Sequence, residues 1–219
     1  MKRFQVSILS VAMTCFSIPV IGYAQQGHSH EGHNHAEHGD HDHSGEVLGF
    51  QLKDWKESHF EDAAKAEQHL QTLKKLGCEA EKSGHAGHID IRYRAKEWKT
   101  MTAANHDLAH QWEGWLKEAG FDVFHGHQDA SFSKGPESVE FRLVEWKTLH
   151  GEGNEKEQAA VIDILKKLGT EVKIDKHDGH SDIKYRAPIW IDIHVADHAT
   201  SEKWTNWLRA NGFETQHEH

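Results

Sequence analysis

His85-Ala-Gly-His88-Ile-Asp-Ile-Arg-Tyr-Arg-Ala95 returns later in the chain as His177-Asp-Gly-His180-Ser-Asp-Ile-Lys-Tyr-Arg-Ala187. From His88 the first copy alternates, with Ile89, Ile91, Tyr93 and Ala95 pointing one way and polar residues the other, as in a strand with one buried face. Outward from this stretch the duplication continues in both directions. Phe50-Gln-Leu-Lys-Asp-Trp-Lys-Glu-Ser-His59 matches Phe141-Arg-Leu-Val-Glu-Trp-Lys-Thr-Leu-His150, and Leu73-Lys-Lys-Leu-Gly77 matches Leu165-Lys-Lys-Leu-Gly169. Trp112-x-x-Trp115-Leu116 and Gly120-Phe121 match Trp204-x-x-Trp207-Leu208 and Gly212-Phe213.

Each copy carries the same order of elements. Val47–Trp55 alternates with Leu48, Phe50 and Leu52 on one face and reads as a strand. Asp62–Leu76 sets Ala63, Ala66, Leu70, Leu73 and Leu76 at helical spacing, and Gly77 ends it. Cys78–Glu81 reads as a short strand, Gly84–Gly87 as a turn and His88–Trp98 as a strand. Ala104–Ala119 reads as a helix with Leu108, Trp112, Trp115, Leu116 and Ala119 inward, and Phe121–Phe124 as a last strand. The order β-α-β-β-α-β in about 80 residues is the split βαβ arrangement of ferredoxin-like folds. The expected class is therefore α+β: tandem ferredoxin-like βαββαβ domains after a signal peptide and a disordered His-rich segment. The expected division is signal peptide 1–24, His-rich segment 25–46, repeat 47–127, linker 128–138 and repeat 139–219.

The chain has 22 histidines, and their distribution carries the functional signal. Twelve recur as pairs: His59/His150, His85/His177, His88/His180, His106/His198, His125/His217 and His127/His219. Surface positions around them have diverged, so recurrence points to a shared role. The expected topology sorts them to two ends of each sheet, on the order of 30 Å apart. His59, His85 and His88 gather at one end, with His150, His177 and His180 as their counterparts. His106, His125 and His127 gather at the other.

His110 lies four residues after His106 and shares its helix face; the second copy has His198 and Glu202 there. With His217 and His219 at the chain end, these offer the three or four N/O donors that a zinc site needs. An Arg beside Asp90 suggests that this acid serves an ion pair. Trp112 and Trp115 read as core. Trp55 and Trp98 fall on the face away from the helices and are the expected contact between the copies.

Seven more histidines, His28, His30, His33, His35, His38, His41 and His43, sit in a run with Gly, Asp and Glu between them. Imidazole is the commonest protein metal ligand, so this run offers interchangeable nitrogen donors to Zn²⁺, Ni²⁺ or Cu²⁺. In composition it resembles the His-rich loops of periplasmic zinc-uptake binding proteins. The repeat order is similar in architecture to heavy-metal-associated domains, although their paired-cysteine loop is absent.

Lys2 and Arg3, the mostly apolar Ile8–Ile21 and the small residues before Gln25 read as a secretory signal, which places the mature chain in the periplasm or outside the cell. Its removal leaves only Cys78, read as a small strand residue, so no intramolecular disulfide is available. No later stretch is long and apolar enough for a membrane span. The whole chain carries a formal charge of −10, which suits cations and argues against nucleic acid.

No nucleophile triad, Walker loop or dinucleotide fingerprint is present; Gly151-Glu-Gly153 lacks a third glycine and a preceding strand. The reading is an exported metal-binding protein that acts as a zinc chaperone, buffer or sequestration factor. Zn²⁺ is the leading ion, with Cu²⁺ and Ni²⁺ open, and a metal transporter or acceptor protein is the expected partner. The alternative is an extracytoplasmic protein-interaction or small-ligand module in which the His run is incidental. A metalloenzyme comes third, since no general base is identifiable.

Overall fold

Two long antiparallel strands organise each half of the chain. The computed structural model describes residues 46–85, 87–150, 155–177 and 180–218. The expected signal over 1–24 and all seven histidines of the run at 28–43 lie outside the described residues, as does His219. The first half contains β1 (Glu46–Phe60), α1 (Ala63–Lys75), β2 (Glu79–His85), β3 (His88–Ala103), α2 (His106–Glu118) and β4 (Asp122–His125). The second repeats the order with β5 (Glu137–His150), α3 (Glu155–Lys167), β6 (Glu171–His177), β7 (His180–Val195), α4 (His198–Ala210) and β8 (Glu214–Glu218). The result is two similar α+β halves, each a four-stranded antiparallel sheet with helices. Their strand orders are β2-β3-β1-β4 and β6-β7-β5-β8.

Register divides each sheet into two ends. β4 pairs with the start of β1, with His125 opposite Leu48, whereas β2 pairs with the start of β3, with His85 opposite His88. The β1–β3 ladder joins the ends, with His59 opposite Asp90 and Glu46 opposite Ala103. Both long strands outrun the ranges expected from alternation, because apolar–polar patterning marks only where a face is buried, while the ladder continues beyond the core.

The helices cover one face. Asp62 caps α1 by accepting from the backbone N–H of Ala64 and Lys65, and Asn105 caps α2 by accepting from Leu108 N–H. Leu70 and Leu73 from α1 and Leu116 from α2 bury against Phe50, Ile91, Tyr93 and Ala95 of the sheet. Tyr93 satisfies its buried hydroxyl by donating to the Ala119 carbonyl, 3.0 Å away, and Tyr185 does the same to Asn211 at 2.9 Å. Trp112 is buried and Trp115 packs at the core edge, as their helical spacing implied. Cys78 is also buried but sits between α1 and β2 rather than in a strand, and burial pushes its thiol up to about 11.

Part of the other face of the first sheet is covered by the second half. A side chain at Gly49 would meet Ile189 at 2.6 Å, so only glycine allows this approach. The central anchor is Arg186, whose side chain is 7% exposed. It donates to Asp122 of the first half at 2.7 and 2.8 Å and to Glu171 of its own half at 2.7 Å. Its guanidinium stacks on Trp98 and Trp146.

Trp98 therefore joins the halves as expected, whereas the ring of Trp55 is stacked by Arg92 and Arg94 of its own half. The connection between halves is structured. Phe132, in a 3₁₀ turn at Ala130–Phe132, packs edge-on against Trp204, and Asp129 N–H donates to the Lys167 carbonyl.

Candidate metal centre

Helix α2 presents His106, His110 and Glu113 on one stripe, spaced four and three residues apart. The stripe faces the edge where β1 starts and β4 ends, so Glu46 and His125 complete the site. His125 forms the floor, with its side chain 2% exposed. Its Nε2 lies 3.3 Å from Glu46 and its Nδ1 lies 3.4 Å from Glu113. His106 places Nδ1 3.4 Å from the other oxygen of Glu46, and its Nε2 is 2.9 Å from Nε2 of His110. His110 Nδ1 then lies 3.0 Å from Glu113. Two carboxylates and three imidazoles thus form a closed circuit.

His127 joins from beyond the strand. β4 ends at His125, yet the His127 ring lies 4.3 Å from that of His125 and 5.1 Å from that of His106, centre to centre. Glycine at 126 lets the chain pass close to the second half here, because a side chain there would strike the Gly169 carbonyl at 2.4 Å. Two imidazoles bound to one tetrahedral Zn²⁺ through bonds of about 2.0–2.1 Å have ring centres about 5 Å apart. The His106–His127 and His110–His125 pairs, both at 5.1 Å, match that separation. One donor atom each from Glu46, His106, His125 and His127 lies within 4.8 Å of the others, and the same holds for His110, Glu113 and His125.

Electrostatics keep the carboxylates ionised. Burial pushes Glu113 up, but hydrogen bonds from Lys117, His110 and His125 and the charge of Lys117 outweigh it and hold the carboxyl down to about 2. Glu46 is likewise lowered: His125, His106 and His127 more than offset its desolvation. Desolvation, with His125 and His106 beside it, lowers His127 below the usual imidazole range and favours the neutral ring that a metal requires.

The spacing of His106, His110, His125 and His127 suggested this grouping, but Glu46 and Glu113 escaped it. Glu113 was detectable as the next residue on the helical stripe. Glu46 was not, since only the β1–β4 register brings it there.

In the second half, His198 lies between Glu137 at 3.7 Å and Glu202 at 3.6 Å. Thr205 stands where Glu113 stands in the first half. His217 lies opposite Val139, as His125 lies opposite Leu48, but its side chain is outside the described residues.

At the opposite end, the expected ion pair between Asp90 and an Arg is absent. Arg94 turns to Glu79 at 2.6 Å, and both Arg92 and Arg94 stack on Trp55. Asp90 accepts instead from Nδ1 of His59 at 2.5 Å and Nδ1 of His85 at 2.6 Å. The two imidazoles compete better because the ladder sets His59 directly opposite Asp90, while the long Arg side chains reach past it to Trp55. His88 is exposed, its ring 6.1 Å from that of His85. His150 repeats the contact with Asp182 at 3.0 Å; the side chains of His177 and His180 are outside the described residues. No protein-family model matches the chain, and a search of curated proteins finds no match.

Proposed function

We propose that this chain is an exported metal-binding protein that captures zinc, as a chaperone, buffer or sequestration factor, on ferredoxin-like halves fed by its His-rich segment. The carrying observation is the convergence of His106, His125, His127 and Glu46 at chelating separation. Three imidazole nitrogens and a carboxylate oxygen are donors suited to a borderline divalent ion and poorly suited to Cu⁺, which prefers sulfur. Cu²⁺ and Ni²⁺ remain competitors because nitrogen sites bind Cu²⁺ more tightly than Zn²⁺. His110 and Glu113 extend the donor set around His125 and give an ion two overlapping positions, an arrangement suited to capture and hand-over. The strand order β2-β3-β1-β4 supports the ferredoxin-like reading, since it leaves each βαβ unit split by one strand.

Chelator competition tests this reading on the full chain against a His106→Ala/His125→Ala/His127→Ala variant. The wild type should retain one Zn²⁺ that the chelator removes last, and the variant should lose it while keeping the weaker binding of the His run. Binding should weaken as pH falls through about 6.5, where protons compete for imidazole. Equal affinity and stoichiometry in the two proteins would refute the assignment.

A further inference from the structure

We propose that the far end of the first sheet is a second divalent-metal site, in which Asp90 is a positioning residue and Nε2 of His59 and of His85 are the ligand atoms. The observation is the pairing itself. One carboxylate, with a side chain 7% exposed, takes Nδ1 of both rings, one on each oxygen. An ionised carboxylate only accepts, so each facing Nδ1 carries the hydrogen. In the neutral ring each Nε2 then keeps its lone pair, on side chains 62% and 64% exposed. This is the carboxylate–histidine–metal relay, in which the outer acid fixes the tautomer and raises the basicity of the ligand ring.

The ladder explains why the groups meet. His59 lies opposite Asp90 on β1, Ser83 lies opposite it on β2, and His85 is two residues further along the same face. Glu57, on that face of β1, brings a carboxylate oxygen to 3.7 Å from His59 Nε2, and one donor atom each from Glu57, His59 and Asp90 lies within 4.8 Å of the others. The His59 and His85 ring centres are 6.4 Å apart. An ion would draw them together by about 1 Å to reach tetrahedral separation. The His150–Asp182 contact repeats the His59 arm of this pairing in the second half. This site shares no residue with the Glu46–His127 cluster and stands or falls independently of it.

Ring nitrogen NMR on the full chain, titrated with Zn²⁺ alone, reads each histidine separately. Before zinc, His59 and His85 should show the Nδ1–H tautomer, which free histidine disfavours. Zinc should then shift their Nε2 signals while Nδ1–H persists. Asp90→Asn should release the tautomer and weaken zinc at these two rings by about 10- to 100-fold, leaving the His125 response intact as the control for folding. Unmoved His59 and His85 signals at zinc levels that saturate His125 would overturn the site. Loss of Nδ1–H on binding, or undiminished zinc affinity in Asp90→Asn, would overturn the role given to Asp90. Silence at His125 alone would instead refute the cluster at the other end.

Discussion

The two halves share strand order, the side-chain cap of their second helix and an apolar core, yet they differ where charge is concentrated. In the second half Arg142 holds Glu214 at 2.7 Å and stacks on Trp190. The first half has Gln51 at that position, bonded to the Lys96 carbonyl, so the counterpart acid, Asp122, is left for Arg186 across the interface. Arg94, the counterpart of Arg186, stays within its own half on Glu79. At the His-rich end of the sheet, His110 and Glu113 of the first half are replaced by Glu202 and Thr205. The duplicated scaffold is thus kept by its apolar faces, while a few polar exchanges give one half the denser donor set and the other the arginine that joins them.

The largest expected effect separates the two arginines. Arg186→Ala removes a buried guanidinium from Asp122 and Glu171 and should cost about 3 kcal/mol, the low end for a broken buried pair, because the stranded acids are 51% and 29% exposed and water can reach them. Arg94→Ala should cost about 1 kcal/mol or less, the range of a more exposed pair. Equal shifts of the denaturation midpoint would break the contrast. Next comes His125→Ala, expected to weaken the tightest zinc site about 100-fold, or roughly 2.7 kcal/mol, against a few-fold for His198→Ala. Chelator competition on the two variants measures this, and a reversed order would move the principal site to the second half.

His69 offers a smaller, pH-dependent contrast. It packs among Phe60, Tyr93 and Trp115, where Val161 stands in the second half, and burial pushes its pKa down to about 4. Its folded pKa is below its unfolded one, so the unfolded chain gains the proton first on acidification. Stability should be complete above about pH 6.5 and fall toward pH 4 by roughly 2 kcal/mol, discounted for partial exposure. His69→Val should flatten that slope whatever it does to the midpoint at pH 7; an unchanged slope would assign the acid sensitivity elsewhere. Smallest is the graft Glu202→His/Thr205→Glu, expected to raise zinc affinity of the second half about 10-fold by restoring the missing donors. No gain would show that the helix stripe is insufficient without the strand edge of the first half.

Local pattern determined much of this from the sequence. The repeat, the order of strands and helices, the inward faces of both helices and the shared stripe of His106 and His110 all follow from periods of 2 and 3.6 residues, which depend only on near neighbours along the chain. The tertiary structure alone decided the rest. Glu46 reaches His125 through sheet register, and His127 reaches the cluster from beyond the end of β4. Asp90 takes two imidazoles although an arginine lies two residues away, and Arg186 crosses to Asp122 because Gln51 leaves that acid without a local arginine. Each of these outcomes depends on which distant side chains arrive at the same place and outcompete one another for a carboxylate, and spacing along a single strand or helix carries no record of that competition.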